Sequence, residues 1–349
     1  MAASFPKMRS LLRTLLLQTL VYVLLCTAEL AAEPKSLQIF FVDVEGGQAT
    51  LIVTPSGQSM LIDTGWPGFN GRDAGRIIRA AKAAGVYQID YVLITHFHRD
   101  HVGGVAQLAS QIKIGTFIDH GPNMEESADP REDFAAYEKV ASQTNRLIVK
   151  AGDQIPLKGA SVQVLTAAGE HISAPLPGAG QPNPLCASEP EAPVDPTENA
   201  RSVGTLITYG KFRFLDLGDL TKRKERDLVC PNNLIGTVNL YLTTHHGLNQ
   251  SNAKVIVDAV HPGVSIMNNG AHKGGSPDTW ETIHNSPGLQ DLWQLHYALD
   301  SDKAHNVPEM FIANLDEKCE GKYIKVTAER NGTFTVLNSR NDYKKTYSK

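Results

Sequence analysis

The stretch "IDYVLITHFHRDHVGG", residues 89–104, limits the possible folds more than any other part of the chain. It opens as a continuous apolar run of strand length and passes without a break into three histidines and an aspartate within six positions, closed by Gly103 and Gly104. Before it, "GRDAGRIIRAAKAAG" places Ala and Ile at helical spacing and stops at Gly85, so the order is helix, strand, loaded loop. A site built at the carboxyl end of a strand follows from that order. The two glycines predict close backbone approach around it.

The remaining pattern is of the same kind. "LQIFFVDV" and "ATLIVTP" read as strands meeting across Gly46-Gly47, and "SMLIDTG" follows after a Pro55-Ser56-Gly57 turn. A short helix from about Gly104, strand "IGTFIDHG", helix "PREDFAAYEKVASQ" and strands "NRLIVKAG" and "ASVQVLTA" complete a first half. Residues 171–199 hold seven prolines and no periodicity, which predicts a long loop or lid. The second half repeats the grammar with strands "SVGTLITYG" and "KFRFLDLGD", helix "TKRKERDLV", strand "GTVNLYLTTHHG", helix "SNAKVIVDAV", strand "GVSIMNNG" and helix "SPDTWETIHN". A terminal hairpin at about 322–338 turns at Asn331-Gly332. Two such halves predict an α+β protein, two sheets face to face with helices outside: a four-layer αββα sandwich.

The amino terminus sets Lys7, Arg9 and Arg13 ahead of an apolar run from Leu15 to about Cys26, then small residues. That is the layout of a secretory signal over residues 1–32, with 33–349 as one domain, and it predicts a secreted or periplasmic protein. The run is shorter than a bilayer span requires, so no stable membrane span is expected after cleavage. A lipid-anchored Cys26 is disfavoured by the bulky Leu25 before it. Cleavage after Ala32 takes the formal charge from −4 to −6, because Lys7, Arg9, Arg13 and Glu29 leave with the signal. A mildly acidic chain without a basic stripe does not grip a polyanion by bulk charge. Cys186, Cys230 and Cys319 then remain, too few for a disulfide framework but enough for one bridge.

In an extended loop, residues two apart point the same way, so His96 and His98 suit one ion while Asp100 and His101 face a second. Imidazole and carboxylate donors suit a borderline metal such as zinc that keeps an open position for water. Asp219 follows one strand and His245 and His246 follow another, offering a bridging carboxylate and a further imidazole. His272 in "NNGAHKGGS" is the best spare imidazole to protonate a leaving group. The run "KRKER", 222–226, offers charge to a phosphodiester, although such a run is ordinarily a solvated face. Trp66 in "DTGWPG" is placed either to line the cleft or to pack. His120, His261, His284, His296 and His305 receive no role.

The motifs "FVDVEGGQATLIVTPSGQSMLIDTG", "YVLITHFHRDHVGG", "LDLGD" and "THHG" occur in the order of the metallo-β-lactamase superfamily. They resemble most the hydrolase domain of ComEC-type DNA-uptake proteins and their secreted stand-alone relatives. The resemblance covers roughly residues 38–286. It implies that His96 and His98 bind a first metal, Asp100 and His101 a second, and that Asp219 bridges them. His245 is the remaining second-metal ligand, with His246 the alternative, and Asp63 of "LIDTG" orients a ligand histidine. Two departures stand out. The opening reads Asp43-Val44-Glu45-Gly46-Gly47-Gln48-Ala49 where the DNA-uptake pattern is D-V-G-Q-G-D-A, losing the second acidic residue. A third first-metal histidine is replaced by Asn199-Ala200-Arg201-Ser202, so Asn199 or water, and after them His171, fills that place. The expected activity is hydrolysis assisted by two divalent cations, zinc first and manganese second, through a metal-bound hydroxide that Asp100 also orients. The substrate is a phosphodiester ahead of a lactone, β-lactam or other ester or amide. The alternative is an inactive binding protein on the same fold.

Overall fold

The computed structural model describes residues 36–348. The signal sequence expected over 1–32 lies outside the described residues, and among those described no helix is long and apolar enough to cross a membrane.

Six strands build most of a first sheet: β1 (Leu37–Phe41), β2 (Thr50–Val53), β3 (Ser59–Ile62), β4 (Gln88–Leu93), β5 (Lys113–Asp119) and β6 (Asn145–Ile148). The next nine build the second: β7 (Gln154–Ile155), β8 (Ser161–Ala167), β9 (Glu170–His171), β10 (Gly204–Tyr209), β11 (Phe212–Asp216), β12 (Leu240–Leu242), β13 (Val264–Met267), β14 (Asp291–His296) and β15 (Ile312–Asn314). The last three, β16 (Ile324–Ala328), β17 (Phe334–Asn338) and β18 (Lys344–Tyr347), return to the first sheet, whose order is β18-β17-β16-β1-β2-β3-β4-β5-β6. The second runs β15-β14-β13-β12-β11-β10-β8-β7, with β9 on β8. Both sheets change from antiparallel to parallel, at β3–β4 and at β11–β12. The metal candidates leave the sheets at the carboxyl ends of strands on the parallel sides.

Side-chain alternation makes the layers. In β1, Leu37, Ile39 and Phe41 point between the sheets and meet Phe212, Phe214 and Trp293 from the second, while Phe40 points to the opposite face. Against that outer face pack α1 (Arg72–Ala83), through Ala74, Ile77, Ala80 and Ala81, and α4 (Ala128–Ala141), through Tyr137 and Ala141; α2 (Arg99–Val102) and α3 (Val105–Ala109) lie between them in the chain. The second sheet is covered by α6 (Lys254–Val260) and α7 (Pro277–His284), with α5 (Lys222–Asp227) preceding them. The fold is the four-layer αββα sandwich expected from the sequence. Five strands carry no period in the sequence: β14, β15, β18 and the two-residue β7 and β9. The first two lie in the stretch 287–321, where short strands alternate with single 3₁₀ turns and no period persists.

The Pro-rich segment has almost no regular structure, as its composition requires, but it is fastened down. Cys186 and Cys230 form a disulfide. The basic run of α5 completes the fastening: Lys224 donates to Gly169 O, Arg226 to the carbonyls of Cys186 and Glu189, and Arg223 pairs with Glu191. These cations hold a loop; of the run's four basic residues only Lys222 is left without such a contact.

Candidate metal centre

The loop after β4 turns into α2 at once, which swings His96, His98, Asp100 and His101 toward the seam between the sheets. Gly104 makes the turn possible, since a Cβ there would lie 2.1 Å from Thr64 O. The two sheets are stitched at this point by the backbone bond Val203 N to Thr95 O, and His245 N to Gly218 O ties together the carboxyl ends of β11 and β12. The stitching fixes the relative positions of donors that come from distant parts of the chain.

Asp219 is the centre of the arrangement. Around its Oδ2 stand the Nε2 atoms of His101 at 3.1 Å, His245 at 3.3 Å, His246 at 3.4 Å and His96 at 4.0 Å. Asp100 Oδ2 lies 3.2 Å from His101 Nε2 and 3.1 Å from His246 Nε2, and those two nitrogens are 3.2 Å apart. His98 joins through its ring, 4.7 Å from that of His96. Lone pairs facing one another at these distances require protons or cations between them. His96 Nε2 and Asp219 Oδ1 are moreover buried without a hydrogen-bond partner. Burial, reinforced by the charges of His101 and His98, holds His96 well below its ordinary pKa; burial also pushes His245 down to about 4. Both are therefore neutral, the form that donates a lone pair to a metal. Burial alone would raise Asp219, but the imidazoles of His101, His245 and His246 hold it well below the usual carboxylate range. The donor set fits divalent cations.

Supporting residues fix the rings. Asp63 Oδ2 accepts from His101 Nδ1 and from Thr95 Oγ1, both at 2.7 Å, and its Oδ1 accepts Thr95 N at 2.8 Å. That leaves His101 Nε2 for the site. Glu125 Oε2 lies 2.9 Å from His98 Nε2 and also accepts Glu198 N, joining the histidine loop to the end of the Pro-rich segment. Nothing near Glu125 in the sequence marks it, because "NMEESADP" has no motif spacing to the histidines.

Four expectations need adjusting. His246 stands with Asp100, His101 and Asp219 in the tightest group, all donor atoms within 4.8 Å of one another, while His245 approaches Asp219 alone. Both residues sit in left-handed backbone, φ 55° each, an irregular turn that spacing cannot resolve. His272 is not in the site: it is exposed and bonds Asp300. Its neighbour Lys273 turns inward instead, donating to Asp100 Oδ2 and lying 4.8 Å from the Trp66 ring, so Trp66 does rim the cleft. Asn199 and His171 are outside the converging group as well. Asn199 lines a cavity of about 430 Å³ beneath the Pro-rich segment, and His171 pairs with Thr166 in β9. The side chain that reaches His96 from that stretch is Ser202, whose Oγ is 3.4 Å from His96 Nδ1 and accepts Asp219 N at 3.3 Å.

Residues 42–182 match the family model described as Lactamase_B, metallo-beta-lactamase superfamily. Recombination protein 2 of Haemophilus influenzae is 24% identical over 235 residues, 67% of this chain and 24% of that protein, so the chain spans about a quarter of the curated relative it matches. Among solved structures, CmlA, a diiron β-hydroxylase from Streptomyces venezuelae, is 17% identical with a TM-score of 0.41, covering 78% of this chain and 49% of that one. A diphosphatase of the PhnP family is 11% identical with a TM-score of 0.38, covering 67% and 86%. Over residues 42–182, within the two-sheet sandwich that carries these histidines and aspartates at its seam, the chain is similar to the metallo-β-lactamase superfamily.

Proposed function

We propose that the protein is an exported hydrolase that holds two divalent cations, zinc in preference to manganese, and cleaves phosphodiesters. The observation that carries the reading is the ring of imidazole nitrogens about Asp219 Oδ2 with Asp100 beside it. Asp100, His101 and His246 would hold one cation and His96 and His98 the other, with Asp219 facing both groups and His245 beside it. Cations held so supply Lewis-acid polarisation and an acidified water at neutral pH. The chain's own residues do the rest. Asp63 keeps the His101 proton on Nδ1, and Glu125 orients His98. Asp100 aligns the attacking water.

Lys273 supports an anionic substrate. Its ammonium, on a side chain 28% exposed, is paired with Asp100 at the mouth of the site beside Trp66. Once Asp100 is engaged by a cation, that charge is free to meet a phosphate oxygen. The resemblance to DNA-uptake proteins, and a relative named for recombination, favour the same class. Because the basic run of α5 is committed to the Pro-rich loop, recognition falls on the cations and Lys273, which suits a nucleotide or short diester better than a long polyanion. The Cys186–Cys230 disulfide supports an oxidising compartment, periplasm or medium.

The test measures metal content of the purified protein and of Asp219→Asn, with bis(p-nitrophenyl) phosphate, a p-nitrophenyl carboxylic ester and a chromogenic β-lactam assayed on both. Two ions per chain and diester turnover, lost together in the variant, are expected. Turnover of only the ester or the β-lactam would overturn the substrate class. Bound metal without turnover of any substrate would replace the enzyme with a binding protein.

A further inference from the structure

A second convergence of donors lies away from this centre, where the carboxyl ends of β1 and β14 meet the loop between β15 and β16. His296 Nε2 is 3.1 Å from Asp43 Oδ2, 3.2 Å from Glu45 Oε2 and 3.6 Å from Cys319 Sγ. Cys319 Sγ is itself 3.2 Å from Asp43 Oδ2 and 3.4 Å from Glu45 Oε1. One donor atom from each of the four lies within 4.8 Å of the others. The pattern repeats that of the principal site, where His101 Nε2 also has two carboxylate oxygens at 3.1 and 3.2 Å. A single N–H has one direction and cannot serve two carboxylates and a sulfur. Asp43 and His296 are fully buried.

An independent observation concerns the backbone. Glu45 is in left-handed conformation, φ 56°, immediately before Gly46 and Gly47, the residue type that adopts it freely. A non-glycine residue is disfavoured in that conformation. It puts a carboxylate where the DNA-uptake pattern has glycine, and the strained turn delivers that carboxylate to His296.

Arg76 of α1 also enters the cluster, its Nη1 at 2.8 Å from Asp43 Oδ2 and 2.9 Å from Glu45 Oε1 and its Nη2 at 3.3 Å from Cys319 Sγ. Its guanidinium adds one positive charge to the cluster. Two carboxylates and a thiolate carry three negative charges, which a divalent cation and one guanidinium balance.

We infer that Asp43, Glu45, His296 and Cys319 form a separate cation site, a four-donor seat for one borderline divalent ion such as zinc. Sulfur and imidazole select against calcium and magnesium, and four protein donors leave no open position, which makes the role structural. The ion would brace the turn at Gly46-Gly47, against which the principal site rests: Gln48 N donates to Asp100 O, and a Cβ on Gly47 would lie 2.5 Å from that same oxygen.

Cobalt distinguishes the two sites, because the principal centre contains no cysteine. Titrating metal-free full-length protein with cobalt(II) is expected to raise a near-ultraviolet thiolate-to-cobalt charge-transfer band that saturates at one ion per chain. Asp219→Asn should retain the band and Cys319→Ser should abolish it, which assigns it to this thiol. Zinc should slow alkylation of Cys319 at least tenfold. Absence of the band in wild-type protein at saturating cobalt, or alkylation unaffected by zinc, would show that Arg76 closes the cluster as an ion-pair network and overturn the site. Neither result depends on hydrolysis, so this inference stands or falls apart from the proposed activity.

Discussion

Asp63→Asn tests whether the principal centre depends on a fixed imidazole tautomer. The amide oxygen must remain at the Oδ1 position, because that atom accepts the backbone N–H of Thr95 at 2.8 Å. The amide NH₂ therefore replaces Oδ2 and faces His101 Nδ1 and Thr95 Oγ1, both 2.7 Å away. Two donors cannot share that contact, so His101 has to present a lone pair at Nδ1 and move its proton to Nε2, the atom aimed at Asp100, Asp219 and His246. A ligand is lost without loss of shape. Backbone strain does not confuse the outcome, since Asp63 has φ 60°, a conformation Asn adopts more readily than other non-glycine residues. Loss of such an orienting carboxylate ordinarily weakens metal binding about 10- to 100-fold, or about 1.4–2.8 kcal/mol. Competition against a chromophoric chelator measures the affinity, and nitrogen-15 shifts of the His101 ring report the tautomer. A variant that folds, keeps wild-type affinity and still carries its proton on Nδ1 would refute the assignment of Asp63.

Further outcomes follow from other contacts. Cys186→Ser with Cys230→Ser opens a loop of 44 residues, for which chain entropy gives a loss of about 4 kcal/mol; urea unfolding should show a lower midpoint, and a change under about 1 kcal/mol would mean that α5 holds the loop unaided. Lys273→Ala is expected to raise KM for the phosphodiester about tenfold while leaving a neutral ester unaffected; equal effects on both would remove its role with anions. Burial pushes Glu225 up to about 7 despite bonds from the N–H groups of Asn252 and Ala253. A carboxyl whose folded pKa is raised stabilises the fold fully below its unfolded value near 4.5, and that contribution falls as pH rises toward 7, by on the order of 3 kcal/mol. Denaturation as a function of pH should show this slope in wild type and lose it in Glu225→Gln.

What could be read along the chain was local in sequence. The strand running into the histidine loop, the helix ending at Gly85 and the Pro-rich segment each occupy one short window, and the alternation of β1 between the two cores follows from its own residues. Spacing could not choose between His245 and His246, because two consecutive left-handed residues obey no period. His272 and Lys273 are adjacent and point oppositely for a comparable reason, and only the position of Asp100 shows which turns inward. Glu125 and Ser202 touch the histidines from 27 and 106 residues away, so no spacing rule links them. The cluster of Asp43, Glu45, His296 and Cys319 is assembled from both sheets, and it becomes visible only when β1 and β14 have been placed.

The pairing of β1 with β16 sets the order of assembly. Leu37 lies opposite Ala328, so the first strand of the described fold waits for one of the last to be present. Until β16 arrives, one edge of β1 has no neighbour, and Leu37, Ile39 and Phe41 lack Ile324, Val326 and Ala328 from their shared core. Contacts of such long sequence separation carry a high loop-closure cost and slow folding. In a nascent chain of this topology that edge of β1 therefore stays unpaired until nearly all of the chain has been synthesised.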